Sequence, residues 1–272
     1  MKPYFIMTVD VDPPFSSKQN YVIEKGVTLL LDLFNEHKIK ATFFVPAVVA
    51  EKFPATVKRI VECRHEVACH GLKHEPSETS LCVNRQIEII KKATKIIEDT
   101  IGIKPIGFRA PLFKVNRSCW IALYKNGYLY DSSIVPSPLY WNYEVFLFSE
   151  PFFLEISEKN ENPTLLEIPV SVNPLLLLPL GGAWLRIFGL KWAKIGIKIN
   201  FTFPAPTIFY IHPKDVIYDN TRGLKWYFYK NTGSCLKILN KIIKYVKQNK
   251  ARFITARDLA KLYKAYSTKS GI

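Results

Sequence analysis

YFIMTVDVD, Tyr4 to Asp12, is a run of β-forming residues that ends in two carboxylates and is stopped by Pro13-Pro14. It reads as a buried first strand. Side chains two apart share one face of a strand, so Asp10 and Asp12 point the same way. A strand that delivers two acids to its C-terminal end sets the question for the rest of the chain: do other strands end the same way?

They do. Helical periodicity over Asn20–His37 is followed by a strand over Ala41–Val49, a helix over Ala55–Cys63 and a short strand over Glu66–Cys69 that leads into His70. The clearest amphipathic helix, Asn84–Ile101, is closed by Gly102 and Pro105. A fourth strand, Ile106–Ala110, carries Arg109. A helix over Ser118–Asn126 and a strand over Tyr128–Ser132 carrying Asp131 come next. Leu165–Val172 and Thr207–Ile211 read as further strands, the latter ending at His212-Pro213. Ser234–Lys247 is helical, Phe253-Ile254 a last short strand, and Thr255–Tyr266 a terminal helix with Asp258 three residues after its capping threonine. Val135–Asn162, aromatic and proline-containing, resists assignment. Alternating strands and helices indicate a parallel α/β arrangement, and about seven strands indicate a barrel or near-barrel over one domain, residues 1–272. Asp10, Asp12, His70, Arg109, Asp131 and His212 all fall at C-terminal strand ends, the rim on which β/α barrels assemble their sites.

His70-Gly71-Leu72-Lys73-His74 places two imidazoles four residues apart, on a helical turn or in a tight loop. Such a pair can face one cation, and a carboxylate from the first strand can complete three ligands while leaving a position for water. His65 lies an odd number of residues from His70, would face the opposite way in a strand, and is left out of the site. Asp131 fits either the site or the Tyr128–Ser133 turn. Trp141, Trp184 and Trp192 fit a sugar-stacking wall but are read as core. The Gly181-Gly182 loop is a candidate for close backbone approach to a substrate.

With 48 % hydrophobic residues the chain can bury a large core, which excludes disorder as the default. Five cysteines without a CxxC or paired spacing indicate free thiols in a reducing compartment. No signal peptide is visible at the start and the longest apolar run, Val170–Leu185, is broken by prolines and glycines, so a soluble cytoplasmic protein is expected. The formal charge of +15 is concentrated late: from Lys191 to Lys269, 17 Lys and Arg face three Asp. Lys237, Lys241, Lys244 and Lys247 have the spacing of one exposed helical stripe, so a solvated face is the preferred reading. An anionic membrane surface is kept as a partner for this basic third, and nucleic acid is set aside.

TVDVD, HEVACHGLKH, RAPLF, YDSS and FYIHP, in this order, resemble the polysaccharide deacetylases, carbohydrate esterase family 4, also called the NodB homology domain. EIPVSVN…LPLGGAW resembles the branch associated with bacterial exopolysaccharide loci. The resemblance runs from Thr8 to Leu259 and implies a distorted (β/α)7 barrel. It also implies roles: Asp10 as general base, Asp12 with His70 and His74 as metal ligands, and Arg109 as the partner that orients the base. The N–H of Leu112 is implied as an oxyanion donor and His212 as general acid. The implied metal is Zn2+, with Co2+, Mn2+ or Ni2+ as substitutes. The implied reaction is removal of an N-acetyl group from an amino sugar borne by a glycan, a lipid or a nucleotide. The alternatives are an amidohydrolase acting on a small linear or cyclic amide, and a non-catalytic glycan- or polyanion-binding protein.

These residue types suit the chemistry. A cation polarises a poorly electrophilic amide and acidifies water, a carboxylate takes the water proton, and an imidazole protonates the departing amine. The chain also departs from the family pattern. Val11 separates the two aspartates, RAPLF lacks a tyrosine after the proline, and no DxxDW-like motif is found to orient His212.

Overall fold

β1 (Tyr4–Asp10) is the strand on which the sheet is built, paired in parallel with β2 (Ala41–Val45) on one side and β10 (Thr207–Ile211) on the other. The computed structural model describes residues 2–14, 20–140, 150–156, 164–217 and 232–270. The other elements of the first half are α1 (Asn20–Glu36), α2 (Ala47–Lys52), α3 (Pro54–Glu62), β3 (Glu66–Cys69), α4 (Val83–Ile101), β4 (Gly107–Phe108), α5 (Arg117–Lys125) and β5 (Tyr130–Asp131). The second half adds β6 (Phe152–Glu155), β7 (Thr164–Glu167), β8 (Val172–Asn173), β9 (Leu178–Pro179), α6 (Gly182–Asn200), α7 (Pro213–Val216), α8 (Thr232–Gln248), β11 (Arg252–Phe253) and α9 (Ala256–Ser270).

Among the described residues the strand order is β10-β1-β2-β3-β4-β5-β7-β6, with β11 also on β1. Within this sheet all pairs are parallel except β6–β7, antiparallel at the edge, and β8 and β9 form a separate antiparallel pair. The sheet curls so that residues 170–181 bridge its two sides. Ser171 N–H donates to the Ile208 carbonyl at 3.2 Å, and Tyr210 N–H to the Leu180 carbonyl at 3.1 Å. The result is a distorted (β/α)7 barrel, the architecture expected from the sequence.

Strand alternation divides the side chains between two cores. Phe5, Met7 and Val9 of β1, Phe43 and Val45 of β2, and Phe209 and Ile211 of β10 point outward to the helices. Ile6, Phe44, Ala68, Tyr130, Leu166, Ile208 and Tyr210 fill the interior, closed below by Ala256, Leu259 and Ala260 of α9. Burial of each such Phe, Leu or Ile contributes roughly 1.5–3 kcal/mol. The same alternation places Asp10, His70, Arg109 and His212 on the inward side of their strand ends and sends Asp131 and His65 outward.

Several boundaries differ from the expectation. The strand predicted over Ala41–Val49 stops at Val45, because Pro46 supplies the extended residue from which α2 starts. The strand predicted over Leu165–Val172 divides into β7 and β8. β6 is not foreseen as an element, and α6 falls where the sequence shows only an amphipathic patch after Gly181-Gly182. β6 falls inside the unassigned Val135–Asn162 stretch, part of which, with Trp141, lies outside the described residues. α4 ends as predicted, with Gly102 in the left-handed conformation (φ 72) that a C-cap requires.

Candidate active site

Asp10, Asp12, His70, His74, Leu112, Arg186, His212, Lys214 and Asp215 line one pocket of about 330 Å³ at the C-terminal rim, within the size range of small-molecule sites. Arg109 lies beneath it. All seven positions read from the sequence are therefore at this pocket or in contact with its lining.

Arg109 is fully buried and its guanidinium makes four hydrogen bonds with its five N–H donors. Nη1 donates to Asp10 Oδ1 at 2.7 Å and to Thr8 Oγ1 at 2.9 Å. Nε donates to the Ser132 carbonyl and Nη2 to Ser132 Oγ, both at 2.9 Å. Its plane also lies 4.1 Å from the Phe44 ring centre. The partner of Arg109 is thus Asp10, not Asp131. Asp131 stands on the outer face, where it accepts from Trp120 Nε1 (2.9 Å), Ser133 Oγ (2.5 Å) and Ser132 N–H (2.9 Å). It holds the turn. His65 is likewise outside, packed against Phe34 and Phe43 and accepting the Ala41 N–H through Nδ1 at 3.1 Å.

His70 follows β3 directly. Its Nδ1 lies 2.7 Å from the Arg109 carbonyl, which can only accept, so Nδ1 carries the proton and Nε2 presents its lone pair to the pocket. His74 arrives by a tight loop rather than a helical turn. Glu78 shapes that loop by accepting the N–H groups of Leu72 and Lys73, each at 2.7 Å, and of Glu75 at 3.1 Å. His74 itself adopts φ 68. Asp12 Oδ1 lies 3.0 Å from His74 Nε2 and 3.6 Å from His70 Nε2, is buried, and has no hydrogen-bond partner.

That orphaned oxygen tests whether a cation fits. One carboxylate oxygen and two imidazole nitrogens, all within 4.8 Å of one another, face an open pocket. Two nitrogens and one oxygen with a free face match the donor set of a hydrolytic divalent metal, so the residues fit. Burial alone raises the Asp12 pKa, but Lys214 and the imidazoles of His212, His70 and His74 outweigh it and hold the carboxyl well below its ordinary value. Asp12 is thus an anion ready to ligate. Lys214 Nζ takes its other oxygen, Oδ2, at 2.6 Å.

His212 closes the pocket from β10. Its Nδ1 lies 3.1 Å from Asp215 Oδ2, which also accepts the His212 backbone N–H at 2.8 Å. Arg186 of α6 donates from Nε to Asp215 Oδ1 at 2.8 Å. Burial raises the Asp215 pKa, yet the His212 contacts and the Arg186 guanidinium bring it down to about 2. Gly182 is required beside this pair, since a Cβ there would sit 1.9 Å from Asp215 Oδ2. The close approach expected of Gly181-Gly182 is therefore to Asp215 and the Tyr210 ring. Sequence reasoning missed Glu78, Arg186, Lys214 and Asp215. The signals available were the Glu75-x-x-Glu78 and His212-x-x-Asp215 spacings and a lone arginine in an uncharged stretch.

Leu112 lies in a turn at the pocket wall with φ 51 and ψ 25, followed by Phe113 at φ 58. Trp192 is core; Trp184 is partly buried against it.

Residues 2–130 match the family model described as polysaccharide deacetylase, and residues 132–261 match a domain of unknown function, DUF3473. A peptidoglycan deacetylase from Helicobacter pylori is 31 % identical over 123 residues, 45 % of this chain and 42 % of that protein. The chain spans 32 % and 42 % of the length of the first two curated relatives it matches. A Mycobacterium smegmatis protein assigned as a polysaccharide deacetylase superposes with a TM-score of 0.76 at 20 % identity, over 98 % of this chain and 92 % of that one. PuuE allantoinase superposes with a TM-score of 0.69 at 16 % identity, over 96 % and 90 %.

Proposed function

We propose, from the match of residues 2–130 to the polysaccharide deacetylase family model, that the pocket hydrolyses the N-acetyl group of an amino sugar to a free amine and acetate. The observation that carries this reading is Asp12 Oδ1, buried without a hydrogen-bond partner and 3.0 and 3.6 Å from the Nε2 atoms of His74 and His70. We take both halves of the chain as one catalytic domain, since His212 from the second stands 3.5 Å from Asp12 of the first.

Asp12, His70 and His74 would hold a divalent cation, Zn2+ in this reading. When bound, it supplies Lewis acidity that polarises the amide carbonyl and lowers the pKa of water. The protein's own groups do the rest. Asp10, kept in place by Arg109, takes a proton from the attacking water. The Leu112 N–H, fixed by its turn, donates to the oxyanion as the carbonyl carbon becomes tetrahedral. His212 gives a proton from Nε2 to the leaving nitrogen as the C–N bond breaks, while Nδ1 stays with Asp215. The substrate is read as a lipid-linked or nucleotide-linked amino sugar. A small cyclic amide is the second reading, favoured only by the likeness of fold to an allantoinase.

The test is metal analysis combined with acetate release from N-acetylglucosamine oligomers and UDP-N-acetylglucosamine. Asp10→Asn should keep the metal and lose turnover; His70→Ala should lose both. Metal without acetate from any amino sugar favours the small-amide reading, and protein that takes up no metal overturns both.

A further inference from the structure

Away from the pocket, three consecutive leucines stand in solvent at the tip of the β8–β9 hairpin. Leu175, Leu176 and Leu177 are 67 %, 52 % and 44 % exposed. The tip is built rather than loose. The Leu175 N–H donates to Asn173 Oδ1 at 3.0 Å, and the Leu176 and Leu177 N–H groups to the Asn173 carbonyl at 3.2 and 2.8 Å. Asn173 Nδ2 in turn donates to the Trp192 carbonyl of α6 at 3.0 Å, so the tip is clamped to that helix. Leu177 takes φ 52, a conformation that disfavours a branched side chain, and by doing so keeps a third apolar group turned outward.

α6, to which the tip is clamped, exposes groups of its own. It is broken at Gly189 (φ 75, ψ −167); after the break, exposed Lys191, Ile195 (46 %) and Lys198 lie on one side at spacings of four and three, and Phe188, 45 % exposed, stands just before it. Phe188 also stacks on Trp184 and Trp192 at 6.0 and 5.7 Å between ring centres. Between Glu167 and Asp215 the chain has no acidic residue at all. Apolar groups flanked by lysines, on a stretch of chain without acids, are the composition of a surface that lies in the interface of an anionic bilayer. A glycan calls for aromatic faces and hydrogen-bonding groups, neither of which a leucine tip supplies. No helix among the described residues is long and apolar enough to cross a membrane.

We propose that the Leu175–Leu177 tip, with Phe188 and the Lys191, Ile195 and Lys198 side of α6, docks this protein on the headgroup region of an anionic lipid bilayer. α6 also carries Ala183 and Arg186 into the pocket wall, so docking sets the pocket within reach of substrate at that surface.

The experiment is co-sedimentation of the full chain with vesicles of phosphatidylglycerol and phosphatidylcholine, against phosphatidylcholine alone, at low and at moderate salt. The protein should partition onto the anionic vesicles, less so as salt rises. The triple variant Leu175→Ser, Leu176→Ser, Leu177→Ser and the double variant Lys191→Glu, Lys198→Glu should each reduce partition roughly tenfold or more. Neither should change acetate release from a soluble substrate, which keeps the docking surface and the proposed reaction separately testable. Equal partition of wild type and triple variant, or no partition at low salt, overturns the proposal. So does a concentration-dependent dimer that the triple variant abolishes while vesicle binding is unchanged, since the surface would then belong to a second copy.

Discussion

Asp215 lies three residues after His212 and holds that histidine twice, through the backbone N–H at 2.8 Å and through Nδ1 at 3.1 Å. The orienting carboxylate is thus supplied locally, from the first turn after the strand, and Arg186 of α6 fixes it from the far side. Asp215→Asn keeps the shape but loses the charge that stabilises an imidazolium. The kcat/KM for acetate release should fall about 10²–10⁴-fold with metal content unchanged. A depressed native pKa of about 2 also means that Asp215 stabilises the fold above the ordinary carboxylate range, near 4, and ceases to as pH falls through 2. Urea midpoints between pH 5 and 2 should therefore drop more for wild type than for the variant.

Glu78 is a ligand-positioning residue that touches no substrate. Its carboxylate gathers three N–H groups of the loop that turns His74 toward Asp12. Glu78→Ala leaves those donors without their partner, which should cost about 2–3 kcal/mol, or about 5–10 °C in Tm for a chain of this size. Metal affinity, read by competition with a chelator, should weaken roughly 10–100-fold as the His74 ligand loses its support. A variant with normal Tm and normal affinity would remove Glu78 from the account.

His65 offers a pH test outside the site. Burial, reinforced by the charge of Lys40, pushes its pKa down to about 4. Because the native state prefers neutral imidazole, His65 contributes stability above its unfolded pKa, near 6.5, and loses it as pH falls toward 4. The loss should be about 2 kcal/mol after allowance for solvent screening. His65→Gln can still accept the Ala41 N–H, so the difference in stability between pH 7 and pH 4 should be smaller in the variant by about that amount. Chemical denaturation at the two pH values measures it.

What the chain betrayed in advance was the set of strand ends. β-forming runs that terminate in Asp, His or Arg are visible without coordinates, because burial on both faces forces continuous apolar sequence up to the rim. Two kinds of information were not visible. One is inward or outward parity where strands are short: Asp131 sits beside Ser132, and only the register of β5 against β4 shows that the serine faces Arg109 and the aspartate faces Trp120. The other is local capping. Glu75-x-x-Glu78 and His212-x-x-Asp215 are common spacings that become informative only when the turn they close also presents a ligand or an acid. α6 escaped for a third reason. With Leu185, Trp192 and Ile197 buried and Phe188 and Ile195 exposed it is apolar on two faces, and the break at Gly189 interrupts its helical period.

The Leu112 turn separates a backbone role from a side-chain role. A non-glycine residue at φ 51 costs about 1–2 kcal/mol relative to relaxed backbone. Glycine would relieve that cost but add about 0.5–1 kcal/mol of unfolded-state entropy. Leu112 is 53 % exposed, so little burial is lost on removing its side chain. Leu112→Gly should therefore leave Tm unchanged or slightly raised. Its activity should fall about 10–100-fold, because the N–H proposed to meet the oxyanion is no longer held in one orientation. Leu112→Ala keeps the constraint on φ and removes only the side chain. If the N–H is what matters, Leu112→Ala should stay within a few-fold of wild type in kcat/KM, and the two variants should diverge. An equal loss in both would transfer the role from the backbone to a contact between the Leu112 side chain and the substrate.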